Sequence, residues 1–95
     1  MEDAQHWKDF FRAWPATIDR RGAIVTTFGE QIPFDSFMTG DRLLFLDRSV
    51  PDTIGARKIV LPYHNIAALK LTEVVKNKLF IPMGFEEPPG RRGPS

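Results

Sequence analysis

The sequence predicts a mainly β protein: an N-terminal helix followed by five short strands that curl into one small, strongly bent barrel. Three observations lead there. Apolar residues near the N-terminus recur at helical spacing, and from Gly22 onward the period falls to two with turn residues at short intervals. The chain of 95 residues has room for a single core. A chain of this size buries only about 60–65% of its unfolded surface on folding, so without staples it gains from self-association.

The helix is expected over about residues 4–14. Asp3 is placed to cap it, Trp7, Phe10, Phe11 and Trp14 fall at i, i+3, i+4 and i+7, and Pro15 closes it. This all-aromatic stripe suits a lid on a barrel mouth, because broad rings bury large areas from few positions. A membrane-surface helix would need a basic polar face, which this one lacks. The first strand is expected over Ala23–Phe28, ending at Gly29-Glu30-Gln31. The second follows over Ile32–Thr39, with Ile32, Phe34 and Met38 on one face, up to the Gly40-Asp41 turn. Pro33 has no amide hydrogen to give a ladder, so it must face an edge or a bulge. Arg42–Asp47 reads Leu43-Leu44-Phe45-Leu46 without alternation, the pattern of a central strand covered on both faces. A loop holding Pro51, Asp52 and Gly55 leads to a short strand over Arg57–Leu61. Pro62-Tyr63-His64-Asn65 then makes a tight corner into the last strand, Ile66–Leu71. Residues 72–81 fit either an extended segment or a helical turn. One domain thus spans residues 1–85, with its strands across about 22–71, and the Pro/Gly/Arg-rich stretch 86–95 is expected to be a disordered tail. Five strands in so few residues must curl to bury one face, which gives an SH3-like barrel.

Composition excludes several classes of function. There is no cysteine, so disulfides and thiolate zinc sites are absent, and His6 and His64 are the only imidazoles. No metal or other cofactor is expected. No apolar run approaches the ~18 residues of a membrane span, and the start Met1-Glu2-Asp3 is acidic where a signal peptide is basic. A cytoplasmic protein with no membrane partner is the expectation. The net charge of +1 hides an asymmetry: residues 1–48 carry 6 Lys/Arg against 8 Asp/Glu, and residues 49–95 carry 7 against 4. That allows an anionic partner on one surface but falls short of the dense basic face that binds duplex DNA.

Two stretches carry a resemblance to a known family. In Ile32–Leu46, preceded by the Gly29 turn, Gly40-Asp41 stands before an apolar strand. In Leu61-Pro62-Tyr63-His64-Asn65-Ile66, a tight polar turn precedes an isoleucine that opens the last strand. Together with the N-terminal helix they make residues 4–72 similar to the Sm-like family, including its Hfq-type members. The resemblance implies a five-stranded Sm-like barrel, assembly into a homo-oligomeric ring and single-stranded RNA as partner. It matches His64 to the histidine of the Hfq-type turn. Phe34 stands where the family has a bend glycine, and Tyr63 where Hfq-type members have a lysine.

Nothing in the sequence points to catalysis or to a small-molecule substrate. A nucleophile needs an adjacent base and that base an orienting group, and Ser36 and Ser49 come with neither. His6 and Asp9, at i and i+3 on the helix, are two ligands at most, and a solvated helix face explains them. Tyr63, His64 and Asn65 differ in kind, since an aromatic, an imidazole and an amide in one turn can stack on a base and bond its edge or a phosphate. The plainer reading is that Tyr63 packs on a neighbour and Asn65 completes the turn. Arg57 and Lys58 begin the most basic part of the fold, completed by Lys70, Lys76 and Lys78 against Glu73. Such a run is either a solvated face or, multiplied around a ring, an attractor for RNA phosphates. The RNA-binding set expected from sequence is therefore Tyr63, His64, Asn65, Arg57 and Lys58. The alternative is an SH3-like barrel serving as a protein-interaction or scaffold module.

Overall fold

The computed structural model describes residues 2–87, and the expected tail lies outside the described residues except for Glu86 and Glu87. The chain is mainly β, with helix α1 (Glu2–Arg12) and six strands: β1 (Gly22–Thr26), β2 (Gln31–Phe34), β3 (Ser36–Thr39), β4 (Leu43–Asp47), β5 (Lys58–Pro62) and β6 (Ile66–Lys70). They form two three-stranded antiparallel sheets, ordered β2-β1-β6 and β3-β4-β5. Six strands replace the expected five, and the described residues form no closed barrel.

The difference arises at Asp35. The expected strand Ile32–Thr39 breaks there into β2 and β3, so the chain leaves one sheet and enters the other within a single residue. The amide of Asp35 donates to the Asp47 carbonyl at 2.8 Å, and its carboxylate accepts from the Ser49 amide (2.7 Å) and hydroxyl (2.6 Å). Side-chain parity changes at the break: Ile32 and Phe34 are buried before it, Phe37 after it, and Met38 faces out at 58% exposure. The placement of Met38 with Ile32 and Phe34 is thereby corrected. Pro33 lies on the edge strand β2, where its missing amide hydrogen costs no ladder bond.

Four residues, Thr27, Phe28, Gly29 and Glu30, link β1 to β2, with Gly29 at φ 87° in the left-handed region that closes such hairpins. β4 is central in its sheet, as expected, but only one face of it is covered. Leu44 and Leu46 are fully buried, whereas Leu43 is 46% exposed and Phe45 half-buried. The unbroken apolar run therefore leaves an open outer face, on which Met38, Phe45 and Val60 stand side by side in register across β3, β4 and β5.

α1 starts before Asp3 and stops at Arg12, earlier than expected, because Trp14 belongs to the following turn: its indole donates to the Ile18 carbonyl at 3.0 Å. Asp3 thus lies inside the helix rather than capping it. Phe11 and Trp14 stack on each other and meet Phe37 edge-on at 5.0 and 5.1 Å, in a core shared with Ile24, Phe34, Leu44 and Leu46. Trp7 and Phe10 are only partly buried against that core. After β6 the chain forms a 3-10 helix, Asn77–Met83, none of whose residues is buried. Among the described residues no helix is long and apolar enough to cross a membrane.

Candidate functional site

The corner between β5 and β6 is a 3-10 turn, Tyr63–Asn65, entered from Pro62 in an extended conformation. Its first and last residues are tied to the rest of the fold. Tyr63 is 1% exposed, and its hydroxyl donates to the Gly40 carbonyl at 2.9 Å. Burial pushes the Tyr63 phenol above its usual pKa, so it stays protonated and keeps donating. Asn65 binds the end of β1: its carbonyl accepts from the Thr27 amide (2.8 Å) and its Oδ1 from the Thr27 hydroxyl (3.3 Å). A β-bulge between Val25 and Thr26 shifts the β1–β6 register and brings this corner over Thr27. His64, between two anchored neighbours, is left exposed at the apex.

Helix α1 packs over this turn and adds polar groups to it. Gln5 and Lys8 from the helix, Asp41 and Arg42 from the β3–β4 turn, and Tyr63 and His64 line a shallow depression of about 370 Å³. Lys8 Nζ lies 3.2 Å from Asp41 Oδ1, and Arg42 Nε lies 3.9 Å from Asp41 Oδ2. The hydrogen bond from Lys8 and then its charge hold the Asp41 carboxyl below the ordinary aspartate range, with Arg42 and Arg12 adding to the effect. Three cations thus surround one carboxylate beside an exposed imidazole. The arrangement suits a polyanion whose phosphates meet Lys8 and Arg42 while a base stacks on or hydrogen-bonds His64.

The structure does not assemble all the residues expected from sequence. Tyr63 is core, so its ring is not presented to a base, and Asn65 is engaged in holding the turn. Lys58 opens β5 at the end far from the turn, about 13 Å from Pro62 along the strand at ~3.3 Å per residue, and Arg57 immediately precedes it. There Lys58 pairs with Asp47 at 2.9 Å, and Arg57 donates to the Ser49 carbonyl at 3.4 Å. Gln5, Lys8 and Arg42 were not expected. The signal for the helical pair is the polar spacing of Gln5, Lys8 and Arg12 beside the aromatic stripe, whereas nothing local in the sequence sets Arg42 next to His64. Comparison of the chain with protein-family models, with curated proteins and with solved structures finds no match.

Proposed function

We propose that this chain is a ring-forming, Sm-like small-barrel protein that binds single-stranded RNA without catalysis. The observation that carries the reading is the exposed His64 on a rigid turn, flanked by Lys8 and Arg42. The strand order also supports it. Counting β2 and β3 as one strand bent at Asp35 gives five strands in the order β6-β1-β2/β3-β4-β5, the succession of a small open barrel whose two ends are β6 and β5. Arg57 and Lys58 take phosphates farther along the same strand of RNA.

Anisotropy of a labelled single-stranded RNA of mixed sequence tests the site. His64→Ala is expected to weaken binding by roughly tenfold, within the 1–3 kcal/mol of a base stacking contact. Lys8→Gln weakens it too, and the double variant Arg57→Gln/Lys58→Gln flattens the salt dependence by removing phosphate contacts. Equal affinities for wild type and His64→Ala over a salt series would remove the reading.

A second reading is favoured by one observation, the open apolar row of Met38, Phe45 and Val60, in which Met38 is 58% and Val60 56% exposed. A protein-scaffold module would use that face. It would be indifferent to RNA and to His64→Ala, and would lose its partner on Val60→Lys.

A further inference from the structure

A larger cleft, of about 920 Å³, opens between α1, the end of β6 and the chain from Asn77 to Glu87. It shares no lining residue with the depression beside His64. Its volume lies near the top of the ~300–1,000 Å³ range of sites for small organic ligands. The chemistry of its wall is specific. Trp7 meets Phe10 edge-on at 6.1 Å, Phe10 meets Phe85 at 6.5 Å, and Phe85 meets Phe80 at 6.3 Å, so four rings run across the cleft from the helix to the C-terminal segment.

That segment is held in place without being buried. Gly84, at φ 103°, turns the chain back after the 3-10 helix, and the Phe85 amide donates to the Phe80 carbonyl at 3.4 Å. Ile81 remains 46% and Phe85 55% exposed. Apolar surface ordered but left open gains most from a ligand that covers it.

Charge decides which ligand. Asp9 and Glu86 line the cleft, and among the described residues no Lys or Arg does, although the chain as a whole is positive. Such a lining repels phosphates and carboxylates, while aromatic faces and carboxylates both attract a cation. We infer that this cleft binds a hydrophobic organic cation, an ammonium group on an aryl or alkyl body, with the head toward Asp9 and Glu86 and the body among Phe10, Phe80 and Phe85.

Titration of the full chain with (4-phenylbutyl)trimethylammonium and with its anionic counterpart 5-phenylpentanoate tests this, by calorimetry and by fluorescence of Trp7. The expected result is saturable binding of one cation per chain, with the anion at least about tenfold weaker. Asp9→Asn/Glu86→Gln should lower cation affinity by about tenfold and abolish the preference over the anion. Phe85→Ala, at a half-exposed position, should leave the circular dichroism unchanged and weaken the cation by a similar factor. Trp7→Phe should remove the fluorescence response and keep the calorimetric one. Equal binding of both probes, no saturation at millimolar cation, or unchanged affinity in the charge-neutralised variant would overturn the inference. So would a fall in solution mass on Phe85→Ala, which would give the cleft to a second copy of the chain.

Discussion

Phe10 and Phe11 are adjacent, equal in size and part of one aromatic stripe, yet they do different work. Phe11 is wholly enclosed between Trp14 and Phe37, whereas Phe10 is half-buried and lines the larger cleft. Phe11→Ala leaves a cavity under the helix and is expected to cost about 3–5 kcal/mol. Phe10→Ala removes a ring that already meets solvent and should cost under about 2 kcal/mol. Urea midpoints of the two variants check the order, and a reversed order would mean that the helix is rotated about its axis from the packing described. Tyr63 and His64 repeat the lesson at the candidate site. Three consecutive residues, an aromatic, an imidazole and an amide, stand out in the sequence, but in a tight turn neighbours point in different directions. One goes to the core, one to solvent and one back to the Thr27 hydroxyl. Residue types identified the turn; only packing decides which of them faces a ligand.

At the level of elements, the helix and the hairpins were legible because their periods and turn residues are local properties. The split at Asp35 was not, since it carries no glycine. The trace it leaves is the spacing of three between Phe34 and Phe37, which breaks an alternation of two. The Asp35 carboxylate holds this corner through Ser49, and those two hydrogen bonds, side chain first, keep its pKa below the ordinary aspartate value. A depressed folded-state pKa contributes stability above the ordinary value, and that contribution is lost as pH falls through the folded value, below about pH 4. Ser49→Ala should therefore raise the Asp35 pKa, read from its carboxyl carbon shift, and make the acid side of the stability profile shallower. An unmoved pKa would show that Ser49 does not set it. The pairing of β1 with β6 depends on a different restriction. A Cβ at Gly22 would lie 2.6 Å from the Lys70 carbonyl oxygen, which is backbone and can give way only by parting the strands. Gly22→Ala is expected to cost about 1–3 kcal/mol as an overpacked contact. Amides of β6 should then exchange faster than those of β4, and uniform exchange across both sheets would count against that localisation.

For the whole molecule, the decisive feature is that each sheet ends on an open strand, β6 in one and β5 in the other, with no ladder partner among the described residues. Exposed edges invite pairing, and a heterologous β5-to-β6 contact between copies closes into a ring when the rotation per copy divides a full turn. We expect about five to seven copies in such a ring. The geometry of β5 supplies a clean test. Arg48 donates to the Arg57 carbonyl at 2.8 Å, and antiparallel pairs alternate, so Ile59 and Leu61 bond to β4 while Lys58 and Val60 turn their amides outward. Val60→Pro removes an outward amide hydrogen and leaves the β4–β5 ladder intact. The expected outcome is a monomer by light scattering with unchanged circular dichroism, where the wild type returns the mass of a ring. RNA affinity should fall with it, because one His64, Lys8 and Arg42 set per chain gains its strength from repetition around the assembly. A wild type that stays monomeric across micromolar concentrations would remove the ring. A Val60→Pro protein that still assembled would move the contact away from the β5 edge.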